Sequence, residues 1–268
     1  MEDGMDLYAE ALALRQANRP FAICTIVESK GSTPRHSAKM LVRQDGSTAL
    51  TIGGGPVEEA VIAEAMAAID AGADRLVKYD LDAGAPGGTP MYCGGALSVF
   101  IEVSVAKPRL VLVGAGHVGK AVARLAAGLG WRVAVVDDRD ERETAETIRE
   151  AAEIYVRADI AEAVRAAPID AETYVAIFTK NADEAALRAV LERDAAYVGM
   201  IGSKRKVAIV RDHLATAGAD PERLAAVRAP IGLDLGAETP AEIAVSVMAE
   251  IMAVRAGTSG RPLSERIP

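Results

Sequence analysis

Leu110-Val111-Leu112-Val113-Gly114-Ala115-Gly116-His117-Val118-Gly119 is the stretch whose reading decides the fold. Four apolar residues in an unbroken run suit a strand buried on both faces, and the glycines follow at once. Their spacing, G-x-G-x-x-G between a strand and a helix, is that of a dinucleotide-binding turn. Gly114 permits the tight turn, Gly116 lets backbone amides approach a pyrophosphate, and Gly119 lets the helix pack closely on the strand. A second apolar run over 132–136 ends at Asp137-Asp138. Asp137 thus falls roughly 20 residues past Gly114, where a ribose-binding acid belongs. An acid there disfavours a 2′-phosphate, so NAD suits the turn better than NADP. His117, in the first helical turn, either contacts a bound phosphate or is solvated. A framework that has lost its ligand is the bland alternative for the whole motif.

Working downstream, apolar runs at 153–156, 174–178 and 197–199 alternate with helices starting near Asn181 and Ser203. That alternation predicts a parallel sheet covered on both faces. Upstream, Lys107-Pro108 marks a boundary, because proline biases its neighbour away from helix. The expected organisation is α/β: an N-terminal α+β domain over 1–106 and a Rossmann-like, doubly wound domain over 107–268. Before the boundary the pattern predicts a helix over 7–14, then strands over 21–27, 38–43, 48–52, 75–81 and 97–103. Asp45-Gly46 is a hairpin turn signal, and Pro56 opens a long Ala-rich helix behind Gly53-Gly54-Gly55. The segment from Glu28 to His36 reads as a polar loop, and 82–92 as a loop dense in Gly and Pro.

The chain of 268 residues is 50% hydrophobic, 25% charged and only 4% aromatic, so its cores must be aliphatic. A net charge of −8 argues against nucleic-acid and anionic membrane partners. No uncharged apolar run reaches the roughly 18 residues of a membrane span. The acidic first residues lack a signal-peptide pattern, and two cysteines make no disulfide framework; the cytoplasm is the expected location.

Cys24, among Ala22, Ile23, Thr25 and Ile26, reads as a buried, inert thiol. Cys93 follows the Gly/Pro loop and precedes Gly94-Gly95, which leaves its sulfur open, so it is the candidate reactive thiol; a small residue ending a tight turn is the alternative. His36, His117 and His213 have no metal-ligand spacing, and no G-x-S-x-G elbow supports a serine hydrolase. Two basic clusters remain. Ser29-Lys30-Gly31-Ser32-Thr33-Pro34-Arg35 combines hydroxyls with two cations. Ser203-Lys204-Arg205-Lys206 places an N-cap before three cations that oppose the helix dipole, which invites an anion. In both clusters, solvated charge is the alternative.

Taken together, these stretches resemble the xanthine dehydrogenase accessory family (XdhC/CoxI). The resemblance rests on 29–35, Gly53-Gly54-Gly55 with Val57-Glu58, Cys93-Gly94-Gly95, the glycine turn, Asp137-Asp138-Arg139, and Tyr197 through Lys206. It continues through Pro230-Ile231-Gly232-Leu233-Asp234 and Glu238-Thr239-Pro240-Ala241-Glu242-Ile243-Ala244. Ser37 departs from it, standing where glycine is expected. The resemblance implies a chaperone rather than a catalyst: a protein that binds molybdenum cofactor (molybdopterin or its cytosine dinucleotide form), assists its sulfuration, and delivers it to a molybdenum hydroxylase. A cysteine desulfurase as further partner and a homodimer are also expected. Cofactor-binding candidates are Ser32, Thr33, Arg35, Gly54, Gly55, Gly114, Gly116, His117, Gly119, Asp137, Ser203, Lys204 and Arg205. Cys93 is the candidate for sulfur transfer or proximity to the metal, since molybdenum favours soft thiolates. The alternative is an NAD-dependent oxidoreductase acting on a small substrate, for which no His or Tyr–Lys pair offers the acid/base group.

Overall fold

The structure, a computed structural model, describes residues 6–31, 33, 35–81 and 95–265. The chain divides into two compact units, residues 1–106 and 107–268. No helix among the described residues is long and apolar enough to cross a membrane.

In the first unit, Asp6 accepts from the Tyr8 amide and so caps helix α1 (Leu7–Gln16). Strands β1 (Phe21–Gly31), β2 (Lys39–Arg43) and β3 (Thr48–Ala49) precede α2 (Gly55–Ala71), which is followed by β4 (Arg75–Asp80) and β5 (Gly95–Ser104). The sheet runs β3-β2-β1-β5-β4 and its pairs are antiparallel. Alternation along β1 sends Ala22, Cys24 and Ile26 into a core beneath Val57, Val61 and Ala65 of α2. On the other face Phe21 and Leu41 meet Leu7 and Leu14 of α1. Cys24 is fully buried, which pushes its thiol up to about 12.

Two expectations for this unit are corrected. Ser29, Lys30 and Gly31 are strand rather than loop, paired with Leu97, Ala96 and Gly95. A bulge between Ile26 and Glu28 turns Val27 out to solvent and lets the ladder continue, so sheet pairing overrides turn-rich composition. The third strand stops at Ala49 instead of 52, because Glu58 curls the chain back. Its Oε2 accepts from the Thr51 hydroxyl and from the Ile52 and Gly54 amides, at 3.1 and 3.0 Å for the amides.

The second unit alternates strand and helix: β6 (Arg109–Val113), α3 (His117–Gly128), β7 (Arg132–Asp137), α4 (Glu141–Thr147), β8 (Glu153–Val156) and α5 (Ile160–Ala166). Then come β9 (Thr173–Ile177), α6 (Asp183–Leu191), β10 (Tyr197–Met200), α7 (Lys204–Thr216), α8 (Pro221–Ala226) and α9 (Pro240–Arg255). The parallel sheet has the order β10-β9-β6-β7-β8, a doubly wound arrangement in which the chain reverses direction beside β6. Leu110 and Leu112 face α3 and α9, while Val111 and Val113 face α5, α6 and α7. Both faces of β6 are therefore dry, which is why its sequence shows no alternation. The switch point between β6 and β9 puts the glycine turn at the carboxyl edge of the sheet.

Candidate functional site: the glycine turn and its pocket

The turn closes through backbone bonds from Gly114 to the Val136 carbonyl (2.8 Å) and from Phe178 to the Val113 carbonyl (2.7 Å). Gly114 has φ +106°, and a Cβ there would lie 2.9 Å from the Phe178 carbonyl carbon and oxygen, so only glycine fits. A Cβ on Gly119 would strike the Gly114 carbonyl oxygen, whereas one on Gly116 would meet nothing within 4 Å. Gly114 and Gly119 are thus demanded by packing, and Gly116 leaves open space at the start of α3.

That space is part of a 690 Å³ pocket lined by Gly114, Gly116, His117, Lys120, Asp138 and Lys180, among others. Asp137 also lines it and is 3% exposed, but its carboxylate is occupied. Oδ2 accepts from the Ala115 amide (2.5 Å) and Arg139 Nη2 (3.0 Å); Oδ1 accepts from the Arg139 amide (2.9 Å) and Nε (2.8 Å). Burial alone would raise the Asp137 pKa, yet the Arg139 and Ala115 bonds outweigh it and hold the carboxyl below its usual range. The same pair raises the Arg139 guanidinium. The acid placed for a ribose thus anchors the turn, and the exposed carboxylate on that rim is Asp138.

The second basic cluster is separate from this pocket. Ser203 caps α7 through its Oγ, which accepts from the Lys206 amide at 3.2 Å, and Lys204 and Arg205 are exposed. None of these three is among the residues lining the glycine-turn pocket. Lys206 is not free for an external anion, since its Nζ lies 2.5 Å from Asp183 Oδ2.

In the first unit, Arg35 lines a separate 350 Å³ pocket with Lys39 and Thr51. Thr51 is tied through Glu58 to the Gly54 amide, which brings Arg35 and the Gly53–Gly55 turn to one region. Gly54 and Gly55 have φ +75° and +71°, and a Cβ on either would meet open space. Thr33 is turned inward to its own loop: its hydroxyl donates to the Arg35 carbonyl at 3.2 Å and lies 3.2 Å from His36 Nδ1. Ser32 and Cys93 lie outside the described residues.

Both units match family models: residues 14–80 the XdhC and CoxI family, and residues 110–251 the XdhC Rossmann domain. The chain belongs to the XdhC family. Among curated relatives of this XdhC-family chain, the uncharacterized protein YqeB of Escherichia coli is 43% identical over 96% of the chain and 47% of its own length. A probable xanthine dehydrogenase subunit of Bacillus subtilis is 32% identical over 59% of the chain and 46% of its own length. The chain therefore spans about half the length of these two relatives. PaoD of Escherichia coli, a molybdenum cofactor insertion chaperone, is 25% identical over 95% of the chain and 89% of its own length. A crystal structure described as a xanthine dehydrogenase from Bacillus halodurans shares the fold, with TM-score 0.51 at 20% identity over 97% of this chain and 98% of that one.

Sequence reasoning missed Lys120, Lys180 and the Thr179 hydroxyl at the pocket. Lys120 directly follows the fingerprint and was legible as a first-turn cation. Lys180 follows an apolar strand, and only the strand order tells that β9 neighbours β6.

Proposed function

We propose that this XdhC-family chain binds molybdenum cofactor, assists its sulfuration and delivers it to a xanthine dehydrogenase-type molybdenum hydroxylase. The observation that carries the reading is a nucleotide-type pocket, with open backbone at Gly116 and cations at its rim, in a chain whose two units both match the XdhC family. The name of PaoD supplies the cargo, and that of the Bacillus subtilis relative supplies the class of client. Molybdenum cofactor is an anionic pterin ending in a phosphate or, in its dinucleotide form, a pyrophosphate. The amides of Gly116 and His117 at the start of α3 suit that end. Arg35, Gly54, Gly55, Ser32 and Thr33 are proposed as the cofactor-binding residues of the first unit. Cys93 is proposed as the thiolate that contacts the metal or passes sulfur to it, with a cysteine desulfurase as sulfur source. A homodimer is the proposed assembly and the cytoplasm the proposed location.

Cofactor retention tests this reading. The purified protein, incubated with molybdenum cofactor and desalted, should keep pterin and molybdenum in equal amounts. Cys93→Ala should lose most of the metal while its circular dichroism stays unchanged. Equal retention by wild type and Cys93→Ala would remove the thiol from the account, and no retention by wild type would remove the cargo.

A further inference from the structure

The walls beside the glycine turn carry a charge arrangement that the fingerprint does not contain. Because Gly114 packs directly on the backbone of Phe178 and Thr179, the chain leaving β9 touches the turn. Lys180, on that chain, and Lys120, in the first turn of α3, line the same pocket. The backbone of Lys180 is held: Lys206 Nζ donates to its carbonyl at 3.3 Å and pairs with Asp183 Oδ2. Asp183 has a side chain only 3% exposed, so Lys206 reaches down from α7 to a buried carboxylate and fastens residues 180–183. The other Asp183 oxygen and the Thr179 hydroxyl are buried without a hydrogen-bond partner among the described residues. Orphaned groups are rare in a native interior. Of the two, only Thr179 lines the pocket, where its hydroxyl can donate to an anionic ligand.

The cations also stand on two separate segments of the chain, Lys120 on α3 and Lys180 after β9. Asp137 and Arg139 neutralise each other, which leaves Lys120 and Lys180 against Asp138 at the rim. One phosphate on the α3 amides is served by the helix start alone. We propose that Lys120 and Lys180 clamp a diphosphate over the glycine turn, and that Lys206, anchored on Asp183, is the positioning residue that holds Lys180 there. The ligand class is a nucleoside diphosphate or a dinucleotide joined by a pyrophosphate, in preference to a monoester. This deepens the proposed function by naming the form of cargo the pocket selects, and it is measurable without molybdenum.

Calorimetry on the full chain, with CDP, ADP, CMP and AMP at fixed ionic strength, tests it. Each diphosphate should bind about tenfold tighter than its monophosphate, the gain expected of one charge-assisted contact. Lys180→Met and Lys120→Met should each erase most of that gain while leaving monophosphate affinity within about twofold. Lys78→Met, on an exposed side chain of β4 in the first unit, should change neither. Lys206→Met should reproduce the Lys180→Met pattern, and Lys206→Arg should restore the diphosphate preference, which a merely structural role would not do. If Lys206→Met unfolds the unit, Lys180→Met still decides, because its exposed side chain carries no packing. Equal affinity for mono- and diphosphates, no binding of either, or a preference that survives Lys180→Met would overturn the clamp. Loss of cofactor retention with the diphosphate preference intact would sink the chaperone reading and leave the clamp standing.

Discussion

At Gly119 a methyl group would meet the Gly114 carbonyl oxygen, whereas at Gly116 it would meet nothing. The two positions separate folding from binding. Gly119→Ala should destabilise the second unit by on the order of 2 kcal/mol, as overpacking against backbone does, read by urea unfolding. Gly116→Val should leave the unfolding midpoint in place and abolish nucleotide binding in calorimetry. An unchanged midpoint for Gly119→Ala would mean that helix and turn are packed less tightly than described. Individual residues of the turn were legible because glycine spacing after an apolar run has few other causes. The engagement of Asp137 was not. Arg139 stands two residues on in plain view, but its side-chain and backbone donors converge on one carboxylate only because the strand curls at its end.

Among the elements, β7 with its terminal Asp137–Arg139 pair gives a pH-dependent prediction. The folded carboxyl titrates below its unfolded value near 3.9. Its contribution to stability is therefore present above pH 4 and lost as pH falls through the lowered folded value. Asp137→Asn should cost about 2 kcal/mol at pH 7, with the difference shrinking as pH drops below 4, in urea titrations at each pH. A cost independent of pH would assign the effect to packing. At the head of α9, Thr239 and Glu242 form a reciprocal capping box, and Thr239→Ala should cost about 1 kcal/mol. This capping box was readable as T-x-x-E in the sequence. The continuation of β1 through Gly31 was not, because it depends on β5, which reaches it from more than 60 residues away, with Ser29 facing Leu97 and Gly31 facing Gly95.

For the molecule as a whole, two units with separate cores both match the XdhC family, and the proposed role is cofactor handling rather than hydride transfer. The alternating strands and helices of 107–268 were legible because parallel strands are apolar throughout. The strand order was not, and with it went Lys180, which borders the pocket from the chain after β9. One measurement bears on the central claim most directly. The purified protein, loaded with molybdenum cofactor, is mixed with an inactive, cofactor-free molybdenum hydroxylase, and the enzyme's turnover is followed alongside NADH absorbance. The expected result is hydroxylase activity that rises in proportion to the cofactor delivered, with no steady NADH oxidation by the protein and small carbonyl compounds. Steady NADH oxidation by the protein alone, lost on Gly116→Val and unaccompanied by any hydroxylase activation, would contradict it.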